Sequence, residues 1–154
     1  MPLVGVVIGS KSDAEVIQST LDVLKNLNIE YELSIISAHR SPEKARKYAL
    51  TARERGLEII IAAAGMAAHL PGVIASWTTL PVIGVPLTGS ELNGVDALYS
   101  VVQMPAGIPV ACVAIGSAGA KNAAYLAAEI LGLRHDTIMF AYEDYRREQR
   151  GECQ

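Results

Sequence analysis

The feature that most constrains the fold of this chain is a series of five short apolar runs along its length. They occupy residues 3–8, 32–37, 58–64, 81–86 and 109–115. Most of them are continuous rather than alternating, which is typical of parallel strands that helices cover on both faces. Segments with helical spacing separate the runs, so the sequence predicts an open, doubly wound α/β sheet with short connections.

Signals for helix starts and stops support this interpretation. Ser12 and Glu15 match the capping-box pattern S-x-x-E, which predicts a first helix over residues 12–26. Ser41 is expected to cap a second helix over residues 42–55, with Pro42 at its first position and Gly56 after its end. The other helices are predicted over residues 68–77, from residue 96, over 119–131 and over 136–150.

Such a sheet is either flavodoxin-like or Rossmann-like, that is, a three-layer sandwich of helices, sheet and helices. No linker or low-complexity segment interrupts the pattern, so residues 1–154 are expected to form a single domain. Hydrophobic residues make up 51% of the chain and charged residues 19%, which leaves more apolar surface than one small core is expected to use. We therefore expect a homo-oligomer with extensive buried interfaces.

Charge and composition exclude several classes of protein. The formal net charge is −3 and no basic stripe is present, which argues against a nucleic-acid partner. No apolar run reaches the roughly 20 residues that span a bilayer, and no charged leader begins the chain, so we expect no membrane partner and a cytoplasmic location. The cysteines Cys112 and Cys153 have neither zinc nor redox spacing, and Cys112 is expected to be a core residue.

The distinctive polar residues of the first half of the chain lie directly after three predicted strands. The stretches are residues 9–13 (GSKSD), 37–41 (SAHRS) and 64–72 (AGMAAHLPG). Loops that follow neighbouring parallel strands converge at the carboxyl edge of the sheet, where these folds bind ligands. We therefore expect the three loops to form one crevice.

The second loop places a proton carrier, His39, beside a permanent cation, Arg40. A cation near a helix start opposes the helix dipole, and an anionic ligand would relieve that conflict. Taken singly, His39 is better explained by a hydrogen bond to a loop carbonyl. Beside Arg40 and a bound phosphate, a general acid and base is the better explanation, because histidine both gives and takes a proton at neutral pH.

The first loop offers hydroxyls and backbone N–H groups at a helix start, which is a ready anion site. Asp13 either complements the helix dipole or accepts hydrogen bonds from sugar hydroxyls. The loop matches neither G-x-G-x-x-G nor G-x-x-x-x-G-K-[ST], so neither dinucleotide nor ATP binding is indicated. His69 in the third loop either orients that loop or contacts substrate.

No metal site is expected, because the three histidines have no evident carboxylate or thiol partners in the sequence. The third of them, His135, precedes the last predicted helix and is expected to be structural or exposed.

Five motifs together resemble the 5-(carboxyamino)imidazole ribonucleotide mutase family of purine biosynthesis, also described as the catalytic subunit of phosphoribosylaminoimidazole carboxylase. They are GSKSD at 9–13, SAHRSP at 37–42, AAHLPG at 67–72, PVIGVP at 81–86 and QMP at 103–105, and the resemblance covers nearly the whole chain. Ser41 stands where threonine is more usual, and Met66 stands where glycine is common. The charged and titratable positions of the motifs are intact.

The resemblance implies a flavodoxin-like fold with five parallel strands, an octamer, and a reaction without biotin, metal, ATP or other cofactor. The reaction moves a carboxylate from the exocyclic nitrogen of an aminoimidazole ribonucleotide to its C4 carbon. Direct carboxylation of aminoimidazole ribonucleotide by CO2 is the alternative within the family. The stretch at 67–72 resembles the mutase branch.

The resemblance also assigns roles to residues. His39 is the general acid and then the general base, and small residues at 64, 65, 67 and 68 form a dry pocket that retains CO2. Arg40 holds the phosphate with Ser10, Ser12 and Ser37, while Asp13 holds the ribose hydroxyls. The substrate-binding set from the third loop is completed by Gly65, Ala67, Ala68, His69 and Leu70.

Other classes of protein remain as alternatives. A non-catalytic sensor of the same fold would bind a phosphorylated metabolite through the anion-binding residues and would not need His39. An electron carrier is disfavoured by the lack of aromatic residues near the loops. A phosphoreceiver is disfavoured because Asp13 has no acidic neighbours for Mg²⁺.

Overall fold

The computed structural model describes residues 1–152 and contains one sheet of five parallel strands with six α-helices. The strands are β1 (Val4–Ile8), β2 (Tyr31–Ile35), β3 (Ile59–Gly65), β4 (Val82–Leu87) and β5 (Ala111–Cys112). The helices are α1 (Ala14–Asn26), α2 (Pro42–Thr51), α3 (Leu70–Trp77), α4 (Val95–Val102), α5 (Gly116–Gly132) and α6 (Asp136–Gln149). Cys153 lies outside the described residues. None of the described helices is long and apolar enough to cross a membrane.

The strand order is β2-β1-β3-β4-β5, which is the flavodoxin-like order and decides between the two predicted arrangements. The chain runs from β1 to β2 in one direction and then crosses back to β3 on the other side of β1. This reversal separates the loops after β1 and β3 and creates the crevice in which such folds bind ligands.

Helices cover both faces of the sheet, as the continuous apolar runs predict. Alternate residues of one strand enter different cores: Val6 packs with α1 and α5, whereas Val7 packs with α2 and α3. The edge strands depart from this pattern. On β2, Leu33 and Ile35 are 43% and 48% exposed, and Cys112 on β5 is half-buried rather than in the core as predicted.

The last strand is much shorter than the predicted run 109–115. It pairs with β4 only at Ala111 and Cys112. Pro109 has no N–H to donate to a ladder, and the chain turns into α5 at Gly116, whose φ is +72°. These two residues confine the strand to residues 110–115, of which only Ala111 and Cys112 pair with β4.

Helix α5 lies close against α1 because its inward face consists of alanine. Ala120, Ala123, Ala124, Ala127 and Ala128 are fully buried. The buried hydroxyl of Thr20 on α1 donates a hydrogen bond of 2.7 Å to the carbonyl oxygen of Ala120. Larger side chains on this face would separate the two helices and break that bond.

Gly119 packs directly against the backbone of the residues that precede its helix. A Cβ atom at this position would lie 1.6 Å from the carbonyl oxygen of Ala114. We expect Gly119→Ala to cost about 3 kcal/mol or more in the free energy of unfolding, because backbone must move to admit the methyl group. Urea denaturation measures the loss.

Gly72→Ala is the matched control, since a Cβ there meets only the flexible end of Met104, at 3.2 Å from its sulfur. This helical glycine should tolerate alanine with a change below about 1 kcal/mol. Equal losses in the two variants would contradict the contact assigned to Gly119.

Candidate active site

Hydrogen bonds between β1 and its two neighbours bring three loops to one edge of the sheet. The N–H of Ile36 donates to the carbonyl oxygen of Ile8 at 2.8 Å, and the N–H of Gly9 donates to the carbonyl oxygen of Ala63 at 3.3 Å. The loops after β1, β2 and β3 therefore leave the sheet side by side. The predicted convergence of these loops is confirmed.

The closest side-chain contact between two of these loops joins two histidines. Nε2 of His39 lies 3.1 Å from Nδ1 of His69, and the ring centroids are 4.9 Å apart. A hydrogen bond between two ring nitrogens needs a proton on one of them and none on the other. One ring nitrogen therefore donates and the other accepts along this contact. Both side chains are exposed, so a ligand can reach them.

Arg40 is held at one end and free at the other. Its backbone N–H and its Nε each donate to the hydroxyl of Ser37, at 3.2 Å and 3.4 Å. Within residues 1–152, no carboxylate forms an ion pair with this guanidinium. Its terminal nitrogens can accordingly receive an anion such as a phosphate.

The first loop is held by its own hydrogen bonds. Its capping residue is Ser10, two residues before the predicted Ser12. Ser10 caps a 3₁₀ turn, Lys11–Asp13, that precedes α1, and Asp13 accepts a 3.0 Å bond from the N–H of Ser10. The hydroxyl of Ser10 accepts from the N–H of Ser12 and contacts its hydroxyl. The predicted capping box of Ser12 with Glu15 is wrong, because the chain forms the 3₁₀ turn before the α-helix begins.

This arrangement changes what the first loop can offer to an anion. The N–H groups of Gly9, Ser10, Ser12 and Asp13 all donate within the protein, so they are not free donors at a helix start. The hydroxyls of Ser10 and Ser12 remain beside the loop surface. Burial raises the pKa of the Asp13 carboxyl, and the bonds from Ser10 oppose that shift only in part.

In the third loop, exposed and buried residues alternate. The side chains of Ala68 and Leu70 lie in the core, so only their backbone atoms can face a ligand. Ala67 and His69 are exposed, and Gly65 is half-buried. Of the four small residues predicted to form a dry pocket, Ala64 and Ala68 are buried and Gly65 is half-buried, whereas Ala67 is open to solvent in the single chain.

A fourth loop, which the sequence did not single out, borders the same edge. Gly65 pairs with Leu87, and a Cβ atom on Gly65 would lie 3.4 Å from the carbonyl oxygen of Leu87 and 3.5 Å from that of Thr88. The start of the loop after β4 thus adjoins the third loop. Only the strand order, with β4 next to β3, reveals this neighbour.

The third histidine has a partner far from this edge. Nε2 of His135 lies 3.0 Å from a carboxylate oxygen of Glu58, and both side chains are about one-third exposed. The expectation that the histidines lack carboxylate partners is therefore wrong for His135. The sequence could not show this partner, because Glu58 lies 77 residues away along the chain. The contact ties the start of α6 to the residue before β3. No group of three potential metal ligands occurs among the described residues.

Comparison with known proteins places this arrangement in a family. A family model described as AIR carboxylase matches residues 3–152. The chain belongs to the AIR carboxylase family. The resemblance inferred from the five motifs is confirmed.

Several relatives of this AIR carboxylase family member are described as N5-carboxyaminoimidazole ribonucleotide mutase. The relative from Thermotoga maritima is 51% identical over 152 residues, which cover 99% of this chain and 88% of the relative. The relative from Pseudomonas aeruginosa is 55% identical over 147 residues, which cover 96% and 90%. The crystal structure of Treponema denticola PurE superposes with a TM-score of 0.88 at 30% identity, covering 99% of this chain and 94% of that one.

The raised pKa of Asp13 leads to a prediction about stability in this AIR carboxylase family member. The folded chain binds the Asp13 proton more tightly than the unfolded chain, so this group lowers stability as pH rises from the ordinary aspartate range through its raised pKa. Asp13→Asn removes that titration and keeps an oxygen for the N–H of Ser10.

We expect the urea midpoint of the parent to fall relative to that of the Asp13→Asn variant as pH rises towards neutrality. Denaturation curves of both proteins across this pH range measure the difference. Midpoints that stay parallel would contradict the assigned effect of burial on Asp13.

Proposed function

We propose that the chain is an N5-carboxyaminoimidazole ribonucleotide mutase, an isomerase of purine biosynthesis. It interconverts 5-(carboxyamino)imidazole ribonucleotide and 4-carboxy-5-aminoimidazole ribonucleotide. The observation that carries the proposal is the contact between His39 and His69 at the carboxyl edge of the sheet. The names of the relatives from Thermotoga maritima and Pseudomonas aeruginosa support the same substrate.

The reaction needs one proton to be delivered and one to be removed. The bond between the exocyclic nitrogen and its carboxylate breaks, the nitrogen takes a proton from His39, and CO2 is released within the site. The C4 carbon of the electron-rich ring then attacks CO2 and forms a carbon–carbon bond. His39 removes the C4 proton and so returns to its starting state.

The second imidazole gives His39 a fixed orientation. Because Nδ1 of His69 lies at hydrogen-bond distance from Nε2 of His39, the proton on one ring determines the tautomer of the other. His69 therefore positions the ring that transfers the proton. Its own exposure also leaves it in reach of the substrate carboxylate.

The remaining polar residues bind the ribonucleotide. The free end of Arg40 binds the phosphate, together with the hydroxyls of Ser10, Ser12 and Ser37. The Asp13 carboxylate uses one oxygen for the N–H of Ser10 and offers the other to the ribose hydroxyls. The substrate itself carries the carboxylate, so this reaction as written needs no cofactor.

We also propose that the chain works as an octamer in the cytoplasm. The open site and the exposed apolar side chains at Leu33, Ile35, Leu92 and Tyr99 favour burial against other copies. Residues 103–107 are the candidate loop with which a neighbouring copy closes the site.

Replacement of His39 tests the catalytic assignment. His39→Asn should reduce turnover by about 10²-fold or more, because it removes the general acid and base. Nucleotide affinity, measured by calorimetry, should stay within about tenfold of the parent, since phosphate and ribose contacts remain.

His135→Asn is the matched control, since that histidine contacts Glu58 away from the site and should retain turnover. If turnover survives unchanged in the His39 variant, His39 is not the general acid and base. A parent protein that binds the nucleotide without turning it over would instead support the sensor alternative.

The family model's description as AIR carboxylase favours one second candidate, direct carboxylation by CO2. The two reactions differ in their need for bicarbonate. We expect the parent to convert 5-(carboxyamino)imidazole ribonucleotide into the C4-carboxylated product in buffer stripped of bicarbonate. Ultraviolet absorbance follows the formation of the product. Product that forms only from aminoimidazole ribonucleotide with added bicarbonate would establish the carboxylase instead.

A further inference from the structure

One residue of the third loop has a backbone conformation that its side chain does not favour. Among the described residues, the non-glycine residues with positive φ are Asn28 at 55°, Met66 at 56° and Asn93 at 50°. Asparagine enters the left-handed region readily because its short polar side chain hydrogen-bonds locally, but methionine has no such compensation. Met66 therefore holds an unfavourable conformation at the edge of the site.

The surroundings of Met66 do not explain this conformation by packing. The residue is 62% exposed, so the side chain is not fixed in either core. Its neighbours on the loop are Gly65, Ala67 and Ala68, and the next charged or titratable side chain is His69, in contact with His39. Met66 is thus the one large apolar side chain on the segment from Gly65 to His69.

The proposed reaction has a step at which such a side chain matters. When the bond from nitrogen to the carboxylate breaks, the released CO2 carries no net charge, so Arg40 and the histidines cannot hold it by ion pairing. An apolar barrier can slow its escape to water. Next to Met66, Ala67 is exposed and its methyl group is too small to form that barrier, and the side chain of Ala68 is buried in the core.

We infer that Met66 is a shielding residue, whose flexible apolar side chain covers the bound aminoimidazole and retains CO2 between its release and its capture at C4. This inference rests on the proposed mutase function. Methionine suits the task because its three rotatable bonds and polarisable sulfur adapt to an irregular surface.

Retention of the carboxylate carbon tests the inference directly. The substrate carries ¹³C in its carboxylate, the buffer contains excess unlabelled bicarbonate, and mass spectrometry of the product measures how much label survives. We expect Met66→Gly and Met66→Ala to lose label at least about threefold more often per turnover than the parent. Met66→Leu should restore retention, because it replaces the apolar volume.

A second readout separates shielding from damage to the fold. Glycine adopts positive φ without penalty, so Met66→Gly should melt at or up to about 4 °C above the parent. A folded Met66→Gly protein that retains label as well as the parent overturns the inference. Label lost equally from the leucine variant also overturns it, because apolar volume is then not the cause.

The outcomes for this inference and for the proposed function are distinguishable. If the parent does not convert the labelled substrate, both fall together. If the parent converts it and the Met66 variants keep the label, the mutase assignment stands and the shielding role alone is rejected.

Discussion

The hydrogen bonds that hold β1 between β2 and β3 are the interaction on which the rest of the structure depends. At the end of β1, Ile8 lies beside Ile35 on one side and beside Ala63 on the other. In this register, the strands on either side of β1 carry the loop with His39 and the loop with His69, whose rings meet at 3.1 Å. All five residues of β1 and the first six of β3 are buried, so both cores hold these two strands.

The site combines a rigid base with groups that remain poorly satisfied in the isolated chain. Asp13 is a carboxylate that burial disfavours, Arg40 has unpaired terminal nitrogens, and Met66 has an unfavourable φ. Burial of the Asp13 carboxylate and the positive φ of Met66 each cost the folded chain some stability, whereas Arg40 is an exposed cation, and all three lie at the same edge. Strain and unsatisfied charge gathered at one place are typical of binding and catalytic sites.

The sequence was sufficient to predict the strands, the helices and the convergence of the three loops, because apolar runs and polar loop residues are local signals. Contacts between distant residues were out of reach. The bond between His39 and His69 and the pair of His135 with Glu58 depend on strand order and register. The capping box formed by Ser10 and Asp13 was missed, because a 3₁₀ turn and an α-helix begin with similar residues. The apolar composition of residues 109–115 predicted a longer β5, but Pro109 cannot donate to the ladder and only Ala111 and Cys112 pair with β4.

The exposed edge strand has a consequence for the behaviour of the chain at high concentration. The outer side of β2 carries N–H and carbonyl groups that pair with no strand in this sheet, beside the half-exposed Leu33 and Ile35. Such an edge is a template for adding another strand, whether from a correct partner or a wrong one. Because two such edges must meet before copies can pair wrongly, misassembly through β2 should increase with protein concentration, and this hazard is separate from heat.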